Sequence, residues 1–141
     1  MTVKASKIYV GCALTDAPEQ FKTSVEDFKN ALKKMGYEVF DFVGLTAGTA
    51  LDVYRWDIDH CVKDCDVFIG ICDFPSIGLG FETNQALRLG KSILLVAHEG
   101  SKVTRLVLGA AEAEPTIRFE RYSELKTDIM PHVLQLVDSV S

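Results

Sequence analysis

A carboxylate that follows two closely spaced glycines is the feature of this 141-residue sequence most suggestive of chemistry. Gly78 and Gly80 would allow the backbone to approach a ligand closely, which makes both candidate binding residues. Glu82 comes next, at the predicted start of a helix, where the helix dipole favours an ionised carboxylate. An ionised carboxylate beside a bound sugar could attack its anomeric carbon. A glutamate is also common in the first turn of any helix, so the spacing alone leaves both interpretations open.

The hydrophobic pattern around this carboxylate predicts strands that alternate with helices. The predicted strands are 7–13, 37–43, 66–72, 92–97 and 116–119, and the predicted helices are 18–35, 52–64, 81–89, 104–112 and 125–140. Such alternation predicts a single α/β domain over residues 1–141, with one parallel sheet and helices on both faces. We expect a flavodoxin-like five-stranded sheet in the order 2-1-3-4-5.

A ligand site is expected where the strand order reverses, beyond the carboxyl ends of the first and third strands. This topology brings the loop that follows Tyr9 opposite the loop that leads to Glu82. The helix before the third strand should lie beside them, with Ile58, Cys61, Val62 and Cys65 forming its inward stripe. Asp57 and Asp59 flank that stripe on opposite sides, and each is a candidate for acid–base work.

Composition excludes some classes of partner and cofactor. Fifteen basic residues against 20 acidic ones give a net charge of −5, so no general attraction to nucleic acid or to anionic membranes is expected. The apolar runs are too short to span a bilayer, and the polar start favours a cytoplasmic protein with reduced thiols. Cys61 and Cys65 are four residues apart on a predicted helix, with His60 beside them. A zinc site would need further ligands that converge on these residues, and the sequence offers none, so no metal is expected. The loop after the first strand lacks the Ser/Thr run of a flavin site, and no cofactor is expected.

Four stretches of the chain, at Ile8–Gly11, Cys65–Ile69, Pro75–Glu82 and Leu89–Ile93, resemble the nucleoside 2-deoxyribosyltransferase superfamily. That superfamily includes 2'-deoxynucleoside 5'-phosphate N-hydrolases. The match extends from the first strand to the Gly-Ala-Ala segment at 109–111 and so covers most of the chain. The resemblance implies an enzyme that cleaves or transfers the N-glycosidic bond of a nucleoside or nucleotide.

The resemblance also implies roles for three residues. Glu82 would form a glycosyl-enzyme that a second base or water resolves, and Tyr9 would hold and orient it. An aspartate on the helix before the third strand would give a proton to the departing base. Asp57 fits that position best, although its spacing to Asp66 is one residue longer than in the hydrolases, and Asp59 remains a rival.

The group at the sugar 5' position is less clearly indicated. Ser76, six residues before Glu82, matches the position where the phosphate hydrolases carry a serine and the transferases an aspartate, which favours a phosphate. Gly11 and Ala13, at the end of the first strand, are further candidate substrate-binding residues. Against a phosphate, Ala13 and Thr15 of the first loop stand where the hydrolases carry a serine and an arginine. The balance leans slightly toward a free nucleoside.

Members of the superfamily complete their sites with a residue of a neighbouring subunit, located after the Gly-Ala-Ala segment. The corresponding segment here is 112–116, so we expect a homodimer or a larger homo-oligomer.

Trp56, Phe74 and Phe81 are candidate platforms for a base, although single aromatics more often pack in a core. A non-catalytic nucleotide-binding module would use the same glycine-rich helix start.

Overall fold

Five short runs rich in β-branched residues form one parallel sheet in the computed structural model, which describes residues 7–41 and 48–140. The strands are β1 (Lys7–Cys12), β2 (Glu38–Phe40), β3 (Val67–Ile71), β4 (Ser92–His98) and β5 (Ile117–Tyr122). They lie in the order β2-β1-β3-β4-β5, and every neighbouring pair is parallel. The predicted α/β fold and strand order are confirmed.

Helices cover both faces of this sheet. They are α1 (Glu19–Lys34), α2 (Ala50–Tyr54), α3 (Ile77–Arg88), α4 (Arg105–Ala113) and α5 (Leu125–Ser139). A π-helix, Arg55–Val62, continues α2 toward β3. One apolar cluster packs α1 and α5 against the sheet, and a second packs the π-helix, α3 and α4 against the opposite face. All five residues of β3 are buried, as expected for a central strand with both faces covered.

Helix α3 begins at Ile77, four residues before the predicted start. The Ser76 hydroxyl caps it by accepting a hydrogen bond from the Leu79 amide at 3.1 Å. The two glycines at 78 and 80 indicated a loop because glycine is a poor helix former. The serine cap and the burial of Leu79 offset that cost, so the prediction of a loop up to Gly80 is wrong.

The segment before β3 also differs from the single α-helix predicted at 52–64. Its first turn is α-helical, and eight residues then adopt the wider π-helical winding. π-Helices are rare, and they occur frequently at functional sites. The predicted inward stripe is nevertheless correct, because Ile58, Cys61, Val62 and Cys65 are all buried.

Two strands differ in length from the prediction. β2 ends at Phe40, and the final part of its predicted range, 42–43, lies outside the described residues. β5 continues to Tyr122, three residues beyond its predicted end. Among the described residues, no helix combines the length and the apolar character needed to cross a bilayer.

Candidate active site

A buried glutamate lies at the carboxyl end of the sheet, held by a tyrosine from β1. The Tyr9 hydroxyl donates a hydrogen bond to Glu82 Oε2 at 2.5 Å. Tyr9 is fully enclosed, and Glu82 is only 8% exposed. Because β1 and β3 are neighbours, this contact forms at the point where the strand order reverses. The structure thus brings together Tyr9 and Glu82 as the sequence predicts.

Gly11 makes room for this carboxylate. A Cβ atom at Gly11 would lie 3.2 Å from Glu82 Oε1 and 3.1 Å from Leu79 Cδ1, tighter than ordinary contacts. Any side chain at this position would therefore require Leu79 or Glu82 to shift by a few tenths of an ångström. Gly11 was predicted to bind substrate. It does not line the Glu82 cavity, and its missing side chain leaves room for the Glu82 carboxylate.

The surroundings of Glu82 differ from those that the sequence predicts. Glu82 is the sixth residue of α3, beyond the first turn where the helix dipole stabilises an anion. Burial raises the pKa of Glu82 to about 7, the Tyr9 hydrogen bond opposes this rise, and the charge of Asp57 and a hydrogen bond with Asp57 add to it. The predicted first-turn position of Glu82 is wrong, because the helix starts earlier and encloses the side chain.

Asp57, on the π-helix, is the second carboxylate of the site. It is half-buried, interacts with Glu82 and lines the same cavity. Asp59 is exposed and does not line that cavity. The structure therefore brings Asp57, and not its rival, to the glutamate. A protonated Glu82 can donate to Asp57, so the two carboxyl groups can hold one proton between them.

Glu82 opens onto a cavity of about 410 Å³ at the carboxyl edge of the sheet. Tyr54 and Phe81 form an aromatic wall, with ring centroids 6.2 Å apart and nearly perpendicular planes. Both rings are about half exposed, at 48% and 57%, which leaves surface for a planar ligand. This volume lies within the range of small-molecule sites.

The sequence reasoning chose only part of this aromatic wall. Phe81 lines the cavity as predicted, but Trp56 packs on His60 and donates to the Asp41 carbonyl at 2.7 Å. Phe74 packs edge-on against Phe21, away from the cavity. Tyr54 was missed, although its position three residues before Asp57 indicates the same helix face.

The remaining predicted binding residues divide between two cavities. Ser76 and Gly78 line the Glu82 cavity, whereas Ala13 is buried and does not line it. Gly80 lines a second, mostly apolar cavity of about 380 Å³ between α3 and α4. Ser76 and Leu79 border both cavities, so the start of α3 is their common wall.

The cysteines near the π-helix make local contacts. The Cys61 thiol points to the Asp41 carbonyl, and the Cys65 thiol donates to the Val62 carbonyl. His60 Nδ1 lies 2.9 Å from an Asp64 carboxylate oxygen. Within the ranges 7–41 and 48–140, no three His, Cys, Asp or Glu side chains converge as a metal site would require.

Solved structures share this architecture, whereas no protein family and no curated protein matches the chain. The CMP N-glycosidase BcmB of Clostridium botulinum superposes with a TM-score of 0.71 at 23% identity, covering 92% of this chain and 99% of that one. A 2-desoxiribosyltransferase of Leishmania mexicana gives 0.63 at 15% identity, with 92% and 97% covered. A 2-deoxyribosyltransferase of Bacillus psychrosaccharolyticus gives 0.62 at 20% identity, with 91% and 96% covered. At these identities the likeness establishes the fold.

The two neighbours of Glu82 should shift its pKa in opposite directions. Tyr9→Phe removes a donor that stabilises the ionised form, so the pKa should rise above about 7. Asp57→Asn removes a charge and a hydrogen bond that favour the protonated form, so the pKa should fall. Titration of the ¹³C-labelled carboxyl, assigned by comparison with Glu82→Gln, measures both shifts. Tyr122→Phe, which removes the hydrogen bond to Asp73 instead, is the matched control and should leave the titration of Glu82 unchanged. Shifts of the same sign in both variants would contradict this arrangement.

Proposed function

We propose that the chain is a member of the nucleoside 2-deoxyribosyltransferase superfamily that cleaves or transfers the N-glycosidic bond of a nucleoside or nucleotide. The observation that carries this proposal is the buried glutamate at the strand switch point, held by Tyr9 and paired with Asp57 at the base of an open cavity. The three solved neighbours support it, because their names all describe enzymes of this chemistry.

The geometry supports a mechanism in two steps. Glu82 attacks the anomeric carbon, a bond forms between that carbon and a carboxylate oxygen, and the bond to the base nitrogen breaks. The departing base takes the bonding electrons and a proton from Asp57. A nitrogen of a second base, or a water oxygen, then attacks the same carbon, the ionised Asp57 takes the proton of the attacking group, and the bond between the carbon and the Glu82 oxygen breaks. These steps require no cofactor.

A proton shared by Glu82 and Asp57 would give each carboxyl group the protonation state that its role requires. Glu82 must be ionised when it attacks, and Asp57 must carry a proton when the base departs. Because a protonated Glu82 donates to Asp57, transfer of that proton prepares both groups at once. Tyr9 holds one oxygen of the carboxylate and stabilises its charge as the proton leaves. A pKa near 7 lets this exchange occur at neutral pH.

The cavity walls supply positions for the other parts of a nucleoside. A base can pack against the exposed faces of Tyr54 and Phe81, and Asp57 lies one helical turn beyond Tyr54, near the glycosidic nitrogen. The sugar then faces Glu82, and its 5' end points toward Ser76 and Gly78 at the start of α3. A module that only binds nucleotides would gain nothing from two carboxyl groups at this position.

We also propose that a second copy of the chain covers the face formed by α3 and α4. Helix α4 is apolar over most of its length, yet none of its residues is buried. Leu106 of α4 is 80% exposed beside the second cavity, and Ile77 of α3 is 94% exposed. Among the described residues, four of the nine exposed large apolar side chains belong to α3, its C-terminal cap and α4: Ile77, Phe81, Leu89 and Leu106. A concentrated apolar surface of this kind is typical of a subunit interface. The segment 112–116, which ends α4 and follows it, would then lie near the subunit boundary.

Substitution of the nucleophile tests the proposed chemistry. Glu82→Gln keeps the size and hydrogen-bonding capacity of the side chain but removes the attacking carboxylate, so turnover should fall at least about a thousandfold. Liquid chromatography of a panel of nucleosides and 5'-monophosphates, with and without a second free base, measures cleavage and separates transfer from hydrolysis. A 2-fluoro sugar substrate should trap a glycosyl adduct on Glu82, located by mass spectrometry. Glu99→Gln, at an exposed position after β4, is the control. Full turnover by Glu82→Gln would refute the mechanism.

The two aspartates of the π-helix should differ as proton donors. Asp57→Asn should slow cleavage of a natural nucleoside by about a hundredfold or more, because the base then departs without its proton. A substrate whose leaving group is a nitrophenolate should be much less affected, since that group leaves unprotonated. Asp59→Asn should leave both rates near those of the wild type because Asp59 is exposed. Equal losses on the two substrates would contradict a role for Asp57 as acid.

The proposed interface can be tested by placing a charge on each face of the sheet. Leu106→Glu should convert the oligomer to monomers, because it brings a carboxylate into an apolar contact. Met35→Glu, at the end of α1 on the other face and 48% exposed, should leave the assembly intact. Sedimentation velocity at micromolar concentration measures the mass. A monomeric wild-type protein, or dissociation by both variants, would contradict an interface at α3 and α4.

A further inference from the structure

We propose that the Glu82 cavity selects a neutral nucleoside and rejects its 5'-monophosphate. This inference rests on the proposed function and deepens it by naming the substrate class. It is carried by the charge of the cavity wall, which contains two carboxyl groups and no compensating cation among the described residues that line it.

Phosphate sites in proteins are built from basic side chains, or from several hydrogen-bond donors that converge on one point. None of the described residues lining the Glu82 cavity is Lys, Arg or His. The cavity therefore offers a dianion no formal positive charge within the part of the chain that the structure describes.

Two cations of this region, Lys29 and Lys102, do not present their charge to this cavity. Lys29 is 2% exposed, and its Nζ lies 2.8 Å from Glu26 Oε1 and 2.9 Å from Asp41 Oδ1. Two carboxylates neutralise that ammonium, so it leaves no surplus charge for a ligand. Lys102 lines the second cavity and not the one that contains Glu82. The start of α3 separates it from the glutamate.

Ser76 is suited to a hydroxyl group better than to a phosphate. Its oxygen accepts a hydrogen bond from the Leu79 amide at 3.1 Å and thereby caps α3. The hydroxyl hydrogen can still be donated to one oxygen of a sugar 5'-hydroxyl. The Ser76 hydroxyl and the backbone amides at the start of α3 are all neutral donors, and they replace only part of the hydration that a phosphate with a charge of about −2 loses on entering the site.

Glu82 and Asp57 make the binding of a phosphate still less favourable for the reaction. Glu82 must ionise to attack, and burial together with Asp57 already raises its pKa to about 7. An uncompensated dianion nearby would favour the protonated form further, in the same way that Asp57 does. A bound monophosphate would therefore lower the fraction of sites that contain an ionised nucleophile.

Comparison of a 2'-deoxynucleoside with its 5'-monophosphate tests this inference. At low, fixed ionic strength, kcat/KM should favour the nucleoside by at least about a hundredfold, because like charges placed together cost several kcal/mol. The 5'-O-methyl nucleoside is the control for size, and it should resemble the nucleoside more than the monophosphate. A monophosphate that is cleaved as well as the nucleoside, or better, would overturn the inference.

A positive charge introduced at the edge of the Glu82 cavity provides a second test of the inference. Thr15 lines the cavity and is exposed, so a longer side chain can be accommodated there. Thr15→Arg should move the ratio toward the monophosphate by about tenfold or more, whereas the uncharged Thr15→Gln should not. Equal responses to Arg and Gln would overturn the electrostatic explanation.

Calorimetric binding of both ligands separates this inference from the proposed function. If neither compound is cleaved, the proposed function is wrong, and the ratio of the two dissociation constants still decides the inference. Tighter binding of the nucleoside would support selection against the phosphate, and tighter binding of the monophosphate would overturn it.

Discussion

The hydrogen bond between Tyr9 and Glu82 is the interaction on which the site depends, because it allows a carboxylate to remain inside the protein. Enclosure raises the pKa of Glu82 from its ordinary 4.5 to about 7, a difference of about 3 kcal/mol between the two protonation states. Without a donor at this point the pKa would be higher still, and a smaller fraction of the glutamate would be ionised at neutral pH. The Tyr9 hydrogen bond lowers the pKa of Glu82, whereas the charge of Asp57 and its hydrogen bond raise it, and the net value near 7 allows proton exchange between the two carboxyl groups. These two polar neighbours therefore decide whether the buried Glu82 is ionised and able to react.

This contact requires that three elements approach one another closely. β1 supplies Tyr9, and the absence of a side chain at Gly11 leaves the space that the glutamate occupies. Helix α3 must begin at Ile77 for Glu82 to face that space from its second turn, and the Ser76 cap stabilises this start. The sheet order makes β1 the neighbour of β3, so the β1 strand and the helix after β3 meet at one edge. A shift of one residue in α3 would turn the carboxylate by about 100° and separate it from Tyr9.

Much of this arrangement could be predicted from the sequence, and the exceptions have physical causes. The alternation of apolar runs predicted the strand order, because short connections and right-handed crossovers leave few topologies. The start of α3 was misplaced because local propensity at two glycines was outweighed by a serine cap and buried packing. The π-helix could not be recognised, since the stripe Ile58, Cys61, Val62 and Cys65 fits a wide helix as well as an α-helix. Tyr54 was overlooked because an exposed tyrosine gains importance only from the cavity beside it, which three distant segments create.

The start of α3 links the chemistry to the surroundings of the site, because one short segment serves as the wall of two cavities. Ser76 and Leu79 face both the space that contains Glu82 and the apolar space between α3 and α4. Leu79 also contacts the position above Gly11, so a displacement of this wall would change the room available to the carboxylate. Leu79 therefore packs between the apolar space and the helix turn that holds Glu82 against Tyr9. Two closely spaced glycines in that turn, at 78 and 80, lower its intrinsic stability, so its position depends on the Ser76 cap and on the packing of Leu79.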